Sequence, residues 1–187
     1  MSDKKPAIVT RASPVIGAGL VAAFLKEGYN VIATSRDASR SFTTSPNLVL
    51  IDGDIGRQGI ATKCTEAPMR HFETIDVLVN NAGIFRTKPF TDFTTEDFNA
   101  LVSTNLLGFL YITQLAVQQM LKQKSGNVLT ISASLADQPV AGRHASVSMM
   151  TKGRPESSNP KSSNRIRKRR YPLQRYSPRR RGLTAQR

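Results

Sequence analysis

The feature that most constrains the fold is residues 75–83, which read Ile-Asp-Val-Leu-Val-Asn-Asn-Ala-Gly. An apolar, β-branched run ends abruptly in two amides and two small residues. Strands buried on both faces of a parallel sheet have this apolar composition, and ligands of open α/β sheets bind outside the carboxyl ends of the strands. Small residues allow close approach of a ligand, and amides satisfy buried polar groups. We therefore predict a strand that ends at a ligand crevice; the alternative is a plain strand and turn.

Strand-like and helix-like segments alternate along the first 152 residues. Gly28 stands where a glycine ends the first helix, and Thr94 or Thr95 is placed to cap the long helix that follows. Strands that alternate with helices imply a parallel sheet with right-handed crossovers. The predicted strands are residues 7–10, 29–34, 47–51, 75–79 and 127–132, and the predicted helices are residues 17–26, 57–72 and 94–124.

The net charge of +14 is distributed very unevenly. Residues 1–152 carry 15 Lys and Arg against 12 Asp and Glu, whereas residues 153–187 carry 12 against one. The second segment is rich in Arg, Ser and Pro and shows no periodicity, a composition that cannot bury enough surface to fold alone. We therefore predict one domain over residues 1–152 and a disordered basic tail over residues 153–187.

Composition also favours a cytoplasmic protein. No stretch reads as apolar enough to span a bilayer, and the N-terminus lacks the apolar segment of a signal peptide. The single cysteine, Cys64, excludes a disulfide framework and a cysteine-based metal cluster, and it is expected to be a packing residue.

Several short stretches resemble, in order and spacing, the short-chain dehydrogenase/reductase family, whose members bind NAD or NADP on a Rossmann-type sheet. The resemblance covers residues 6–152 and rests on the turn at residues 10–17, the run at residues 80–83, Asn105 and Lys152. It implies a doubly wound parallel sheet with strand order 3-2-1-4-5. The long helix, sixth strand and substrate loop that follow the lysine in the family are missing here.

The turn after the first strand departs from the family pattern Thr-Gly-x-x-x-Gly-x-Gly. Arg11 and Val15 stand at the first two glycine positions. Because their Cβ atoms enter the space of the cofactor diphosphate, we expect steric damage to outweigh any help from the charge of Arg11. The resemblance still assigns cofactor binding here to Thr10, Ser13, Ile16 and Gly17.

The remaining cofactor residues follow the second, third and fourth strands. Ser35 and Arg36, in place of an acid, resemble a pocket for the 2′-phosphate, so NADP is favoured and NAD stays possible; the alternative is a solvated loop arginine. Asp54 is assigned to the adenine amino group, with Asp52 as the competing candidate. The resemblance assigns the other cofactor contacts to Ile55, Asn81, Ala82, Gly83, Asn105 and Lys152.

The family's catalytic set is Asn, Ser, Tyr and Lys. Asn105 matches the helix asparagine, Ser134 the serine that orients the substrate carbonyl, with Ser132 as the alternative, and Lys152 the lysine that holds the nicotinamide ribose. The tyrosine position holds Ser148. Because a serine hydroxyl has far too high a pKa to deliver a proton at neutral pH, we expect weak or absent activity.

The resemblance implies hydride transfer between NADP(H) and a carbonyl or secondary alcohol of a small molecule. An inactive remnant of such an enzyme is the second interpretation, and a nucleic-acid arm formed by the arginines of residues 165–181 is a third, disfavoured one. Assembly into homo-oligomers is not assumed.

The basic tail has a possible origin in the gene. Codons for residues 154–181 can be chosen so that the same nucleotides, read one base later, encode a segment that resembles the family's missing helix and sixth strand. We therefore hypothesise a frameshift after Lys152.

Overall fold

The structure, a computed structural model, describes residues 5–13, 15–133 and 144–152. Its centre is a five-stranded sheet in the order β3-β2-β1-β4-β5, and every neighbouring pair of strands is parallel. This order confirms the predicted fold class. The predicted tail, residues 153–187, lies outside the described residues. The strands are β1 (Pro6–Thr10), β2 (Asn30–Ser35), β3 (Leu48–Asp52), β4 (Val77–Asn80) and β5 (Asn127–Thr130).

Helices connect the strands and cover both faces of the sheet. Gly28 follows the first helix, and its φ of +79° is the left-handed conformation expected of a C′ glycine. The predicted helix at residues 94–124 is interrupted by a π-helical segment, Val102–Leu107. The helices are α1 (Val15–Lys26), α2 (Ala38–Ser41), α3 (Gln58–Phe72), α4 (Thr95–Leu101), α5 (Gly108–Lys122) and α6 (Ser146–Lys152), with a 3₁₀ turn at Phe90–Asp92.

Alternate residues of the buried strands face opposite layers of the core. Ile8 of β1 packs in the cluster that includes Ile112 of α5, whereas Val9 packs in the cluster that includes Val21 of α1. Burial on both faces explains why these strands read as continuous apolar runs. Cys64 of α3 is fully buried in the first cluster, and burial raises the pKa of its thiol to about 11, as a packing residue requires.

One helical stretch contradicts our expectation that no segment could span a membrane. The continuous helical stretch Thr95–Lys122 has a mean hydropathy of 1.5 over an 18-residue window and meets the length and composition of a membrane span, although we expected no such stretch. Its buried residues Ile112, Ala116 and Met120 belong to the core cluster under the sheet. A core helix meets the same criterion, because one of its faces must be apolar to pack.

Candidate functional site

The carboxyl ends of β1 and β4 are joined by a network of buried hydrogen bonds. The Thr10 hydroxyl donates to the Val79 carbonyl (3.1 Å) and accepts from the backbone N–H groups of Asn81 (3.0 Å) and Ala82 (2.9 Å). The Asn81 amide donates to the carbonyls of Thr10 (3.1 Å) and Arg11 (3.0 Å). These bonds hold the two predicted cofactor segments at one edge of the sheet.

The turn after β1 keeps a glycine-type backbone although arginine occupies it. Arg11 has a φ of +50°, in the left-handed region that L-residues avoid. Gly17 is irreplaceable at the far end of the turn, because a Cβ there would lie 2.1 Å from the Arg11 carbonyl oxygen. Val15 begins α1 with its side chain 91% exposed. A cavity of about 240 Å³ lies beside this turn. It is lined by Arg11, Val15, Ile16, Gly17 and Asn81.

At the end of β2, Ser35 is buried and Arg36 is exposed, which is compatible with a phosphate contact by the guanidinium. The Ser35 hydroxyl accepts from the backbone N–H of Asp37 (3.4 Å), and the Ser13 hydroxyl donates to the carboxylate of Asp37 (3.5 Å). Ser13 therefore faces the loop after β2, so the structure brings these two predicted segments together.

The two aspartates proposed for adenine have different partners. Asp52 accepts from both the backbone N–H and the hydroxyl of Ser39, and these bonds hold the pKa of Asp52 below its ordinary value. Asp54 accepts from the backbone N–H of Gly56 (2.9 Å) in a turn before α3. Ile55 is only 7% exposed and packs in the core. The adenine contacts of Asp54 and Ile55 stay predictions.

Asn105 joins three elements around the crevice. Its carbonyl oxygen accepts from the N–H of Ile84 (2.8 Å), and its amide donates to the Ile84 carbonyl (3.1 Å) and to the Thr151 hydroxyl (2.9 Å). It lies in the π-helical segment, and such segments are frequent at functional sites. Asn105 therefore fixes α6, and with it Lys152, against the segment that follows β4. Sequence reasoning missed Thr151, which only its place beside Lys152 could have suggested.

Lys152 is half-buried and lies directly over Gly83. Its ammonium donates to the Ile131 carbonyl (3.2 Å), and a Cβ on Gly83 would lie 1.9 Å from Lys152 Cε. Burial, and next the nearby charge of Arg11, lower the pKa of Lys152. The structure thus brings Gly83, Asn105 and Lys152 together, and their roles toward a cofactor stay predictions.

Ser148 does not reach the crevice. It is fully buried, and its hydroxyl donates to the Arg86 carbonyl (2.7 Å) and accepts from the Arg86 N–H (2.9 Å). Both hydrogen-bonding directions of the side chain are therefore used by one backbone segment. Ser134 lies outside the described residues. The alternative, Ser132, is exposed, with its hydroxyl 3.5 Å from the Lys152 carbonyl.

An ion cluster around the buried Asp97 also escaped the sequence reasoning. Asp97 is 4% exposed and pairs with both Arg86 and Lys88. It also closes a capping box with Thr94, which identifies Thr94 as the N-cap of α4. The cluster fixes the segment after β4 to the start of α4. Within the described ranges, no group of three or more His, Cys, Asp or Glu could hold a metal ion.

The sheet order, the crevice at the carboxyl strand ends and the Asn105–Lys152 arrangement define a Rossmann-type α/β protein with a nucleotide-binding edge. The family model for short chain dehydrogenases matches residues 5–147. The chain belongs to this family, the short-chain dehydrogenases/reductases.

Similar proteins include both reductases and dehydrogenases. The chain is 33% identical over 147 residues to the 11-beta-hydroxysteroid dehydrogenase-like 3 protein of Arabidopsis thaliana, covering 73% of this chain and 47% of that protein. It is 29% identical over 146 residues to 3-oxoacyl-[acyl-carrier-protein] reductase FabG of Chlamydia pneumoniae, covering 74% and 59%. The chain thus spans about half to three-fifths of these relatives.

Solved structures agree in fold. ElxO with NADP bound superposes with a TM-score of 0.71 at 27% identity, covering 80% of this chain and 62% of that one. The 3-ketoacyl-(acyl-carrier-protein) reductase of Brucella melitensis complexed with NADH gives a TM-score of 0.73 at 25% identity, covering 79% and 64%.

Proposed function

We propose that the crevice binds NADP(H) and that the parent reaction is hydride transfer between this cofactor and a carbonyl or secondary alcohol, with weak or absent turnover in this chain. The observation that best supports this proposal is the placement of Lys152 over Gly83 and beside Asn105. This leaves an ammonium and a glycine backbone where a ribose and nicotinamide would approach.

The preference for NADP rests on the end of β2. Arg36 is exposed there, and a guanidinium pairs well with a phosphate, whereas the family's NAD-binding members place an acid at this point. Ser13 and Ser35 flank the same loop. The other predicted cofactor residues beside it follow β1 and β4, and they are Thr10, Ile16, Gly17, Asn81 and Ala82. Similar structures hold NADP in one case and NADH in another, so NAD is the second candidate.

The expected impairment lies in proton transfer. A bound cofactor would supply or accept the hydride, while Ser134 would orient the substrate oxygen and Lys152 would hold the ribose. The position that should supply a phenol holds Ser148, whose hydroxyl is buried and bonded to the Arg86 backbone. It lacks both the pKa and the access that a general acid needs.

Titration with NADPH, followed by fluorescence, and a panel of carbonyl substrates test the two halves of this proposal. We expect saturable binding with little or no oxidation of NADPH. Lys152→Met should weaken binding, whereas Lys122→Met, at the exposed end of α5, should not. Failure to bind either NADPH or NADH would contradict the cofactor assignment, and robust turnover would contradict the role given to Ser148.

The substrate is proposed only as a class. The relatives include a 3-oxoacyl-[acyl-carrier-protein] reductase and an acetoacetyl-CoA reductase, and these names support a small carbonyl compound or the corresponding alcohol as the substrate class. The cytoplasmic location, the disfavoured nucleic-acid arm and the state of assembly stay predictions.

A further inference from the structure

We propose that Arg11, at a position where the family pattern has glycine, binds the diphosphate of the dinucleotide. This inference deepens the proposed function and rests on it for the identity of the nucleotide. It assigns a binding role to a residue that we expected to obstruct the cofactor.

The first observation is the direction of the Arg11 side chain. Its guanidinium donates to the carbonyl of Gly83, so it lies across the crevice from the β1 turn to the segment after β4. The Thr10 and Asn81 bonds fix both ends of this span. A guanidinium has five N–H donors in a planar fork, and the neutral Gly83 carbonyl engages only part of them. The remaining donors suit a phosphate.

The second observation is the charge distribution. Arg86 and Lys88 share the single carboxylate of Asp97, whereas Arg11 and Lys152 each bind a neutral backbone carbonyl. Arg11 is near enough to Lys152 to disfavour its protonation. An anion bound by Arg11 would relieve this repulsion.

The third observation is the space beside Arg11. The cavity of about 240 Å³ is lined by Arg11, Gly17 and Asn81 as well as by the exposed side chain of Val15. A diphosphate that enters it meets the guanidinium on one side and the small Gly17 on the other.

The opposing interpretation is that Arg11 is a plug that excludes the cofactor. The two interpretations predict opposite effects of Arg11→Gly on affinity, so calorimetry of the full chain separates them. The probes are NADPH, inorganic diphosphate and adenosine, which lacks phosphate. Arg11→Lys keeps the charge without the fork, Arg11→Gln removes the charge with less change of backbone, and Arg70→Ala removes one exposed arginine from α3, far from the turn.

We expect Arg11→Gly and Arg11→Gln to weaken NADPH and diphosphate at least tenfold and Arg11→Lys to weaken them less. Binding of adenosine, and all binding by Arg70→Ala, should stay unchanged. The loss should be greatest at low salt, because the contact is ionic. Thermal unfolding of each variant confirms that it is folded.

Tighter NADPH binding by Arg11→Gly would establish the plug and overturn the proposal. Failure of wild-type protein to bind diphosphate would also overturn it, even if NADPH binds. Arg11-dependent diphosphate binding without NADPH binding would instead refute the proposed function and leave the anion site standing.

Discussion

At the scale of single residues, Gly83 controls the position of Lys152. We predict that Gly83→Ala lowers NADPH affinity at least tenfold, because the new Cβ would lie 1.9 Å from Lys152 Cε and 2.3 Å from Nζ and must displace the side chain. Fluorescence titration measures the loss. An unchanged affinity would show that Lys152 does not need this position to hold the cofactor.

The matched control is Gly19→Ala in α1. A Cβ there meets nothing within 4 Å, so the substitution should leave NADPH affinity unchanged. It should also stabilise the fold by about 0.5–1 kcal/mol, because alanine loses less conformational entropy than glycine in a helix.

Ser148 has a structural role that can be separated from catalysis. We predict that Ser148→Ala destabilises the fold by about 1–3 kcal/mol, because it removes two partly buried hydrogen bonds to the Arg86 backbone, each worth about 0.5–1.5 kcal/mol. Urea unfolding measures this, and the residual turnover should not change. Ser146→Ala, an exposed position in α6, should lie within about 0.5 kcal/mol of wild type. A fall in turnover for a stable Ser148→Ala would revive a catalytic role.

At the scale of elements, α4 depends on its capping box. We predict that Thr94→Ala costs about 1 kcal/mol, because the Thr94 hydroxyl accepts from the Asp97 N–H (3.2 Å) and helps to hold a residue that also binds Arg86 and Lys88. Denaturant unfolding measures the cost. Thr95→Ala, one residue later and exposed, is the control and should have almost no effect; equal effects of the two substitutions would refute the cap.

The same elements show how far sequence reasoning reached. The sequence identifies Asp97 as an acidic residue in the first turn of a helix. Its pairing with Arg86 and Lys88, however, depends on a loop that folds back onto α4. The sequence pattern does not predict the π-helical segment, because residues 98–115 have a continuous apolar helical pattern. Asn105 interrupts this apolar pattern, and its partners Ile84 and Thr151 are remote in sequence. Bonds between distant segments leave no local signal.

At the scale of the whole molecule, the buried Cys64 couples stability to pH. The folded thiol has a pKa of about 11, against 9.0 for an exposed thiol, so its contribution to stability is complete below pH 9 and is lost as the pH rises to 11. We predict that wild type loses about 3 kcal/mol more than Cys64→Ala over this interval. Unfolding free energies of both proteins across it provide the test. Equal changes in unfolding free energy for the two proteins over this pH interval would refute the prediction.

The basic tail has its own prediction at this scale. We predict that the gene, read one base later after the codon for Lys152, encodes a helix and a strand that continue the family's fold. Nucleotide sequencing decides this directly. If no shifted frame encodes such a segment, the hypothesis fails and the nucleic-acid arm gains weight.

The sequence by itself determined the alternation of strands and helices and the family, and the family implied the sheet order, because apolar periodicity and ordered short motifs are local properties that survive substitution. The tertiary structure decided what the substituted residues do. Only folding places the Arg11 guanidinium on Gly83 and buries the Ser148 hydroxyl against Arg86. Each of these contacts joins residues more than sixty positions apart, so its geometry depends on the packed sheet and helices rather than on neighbouring residues.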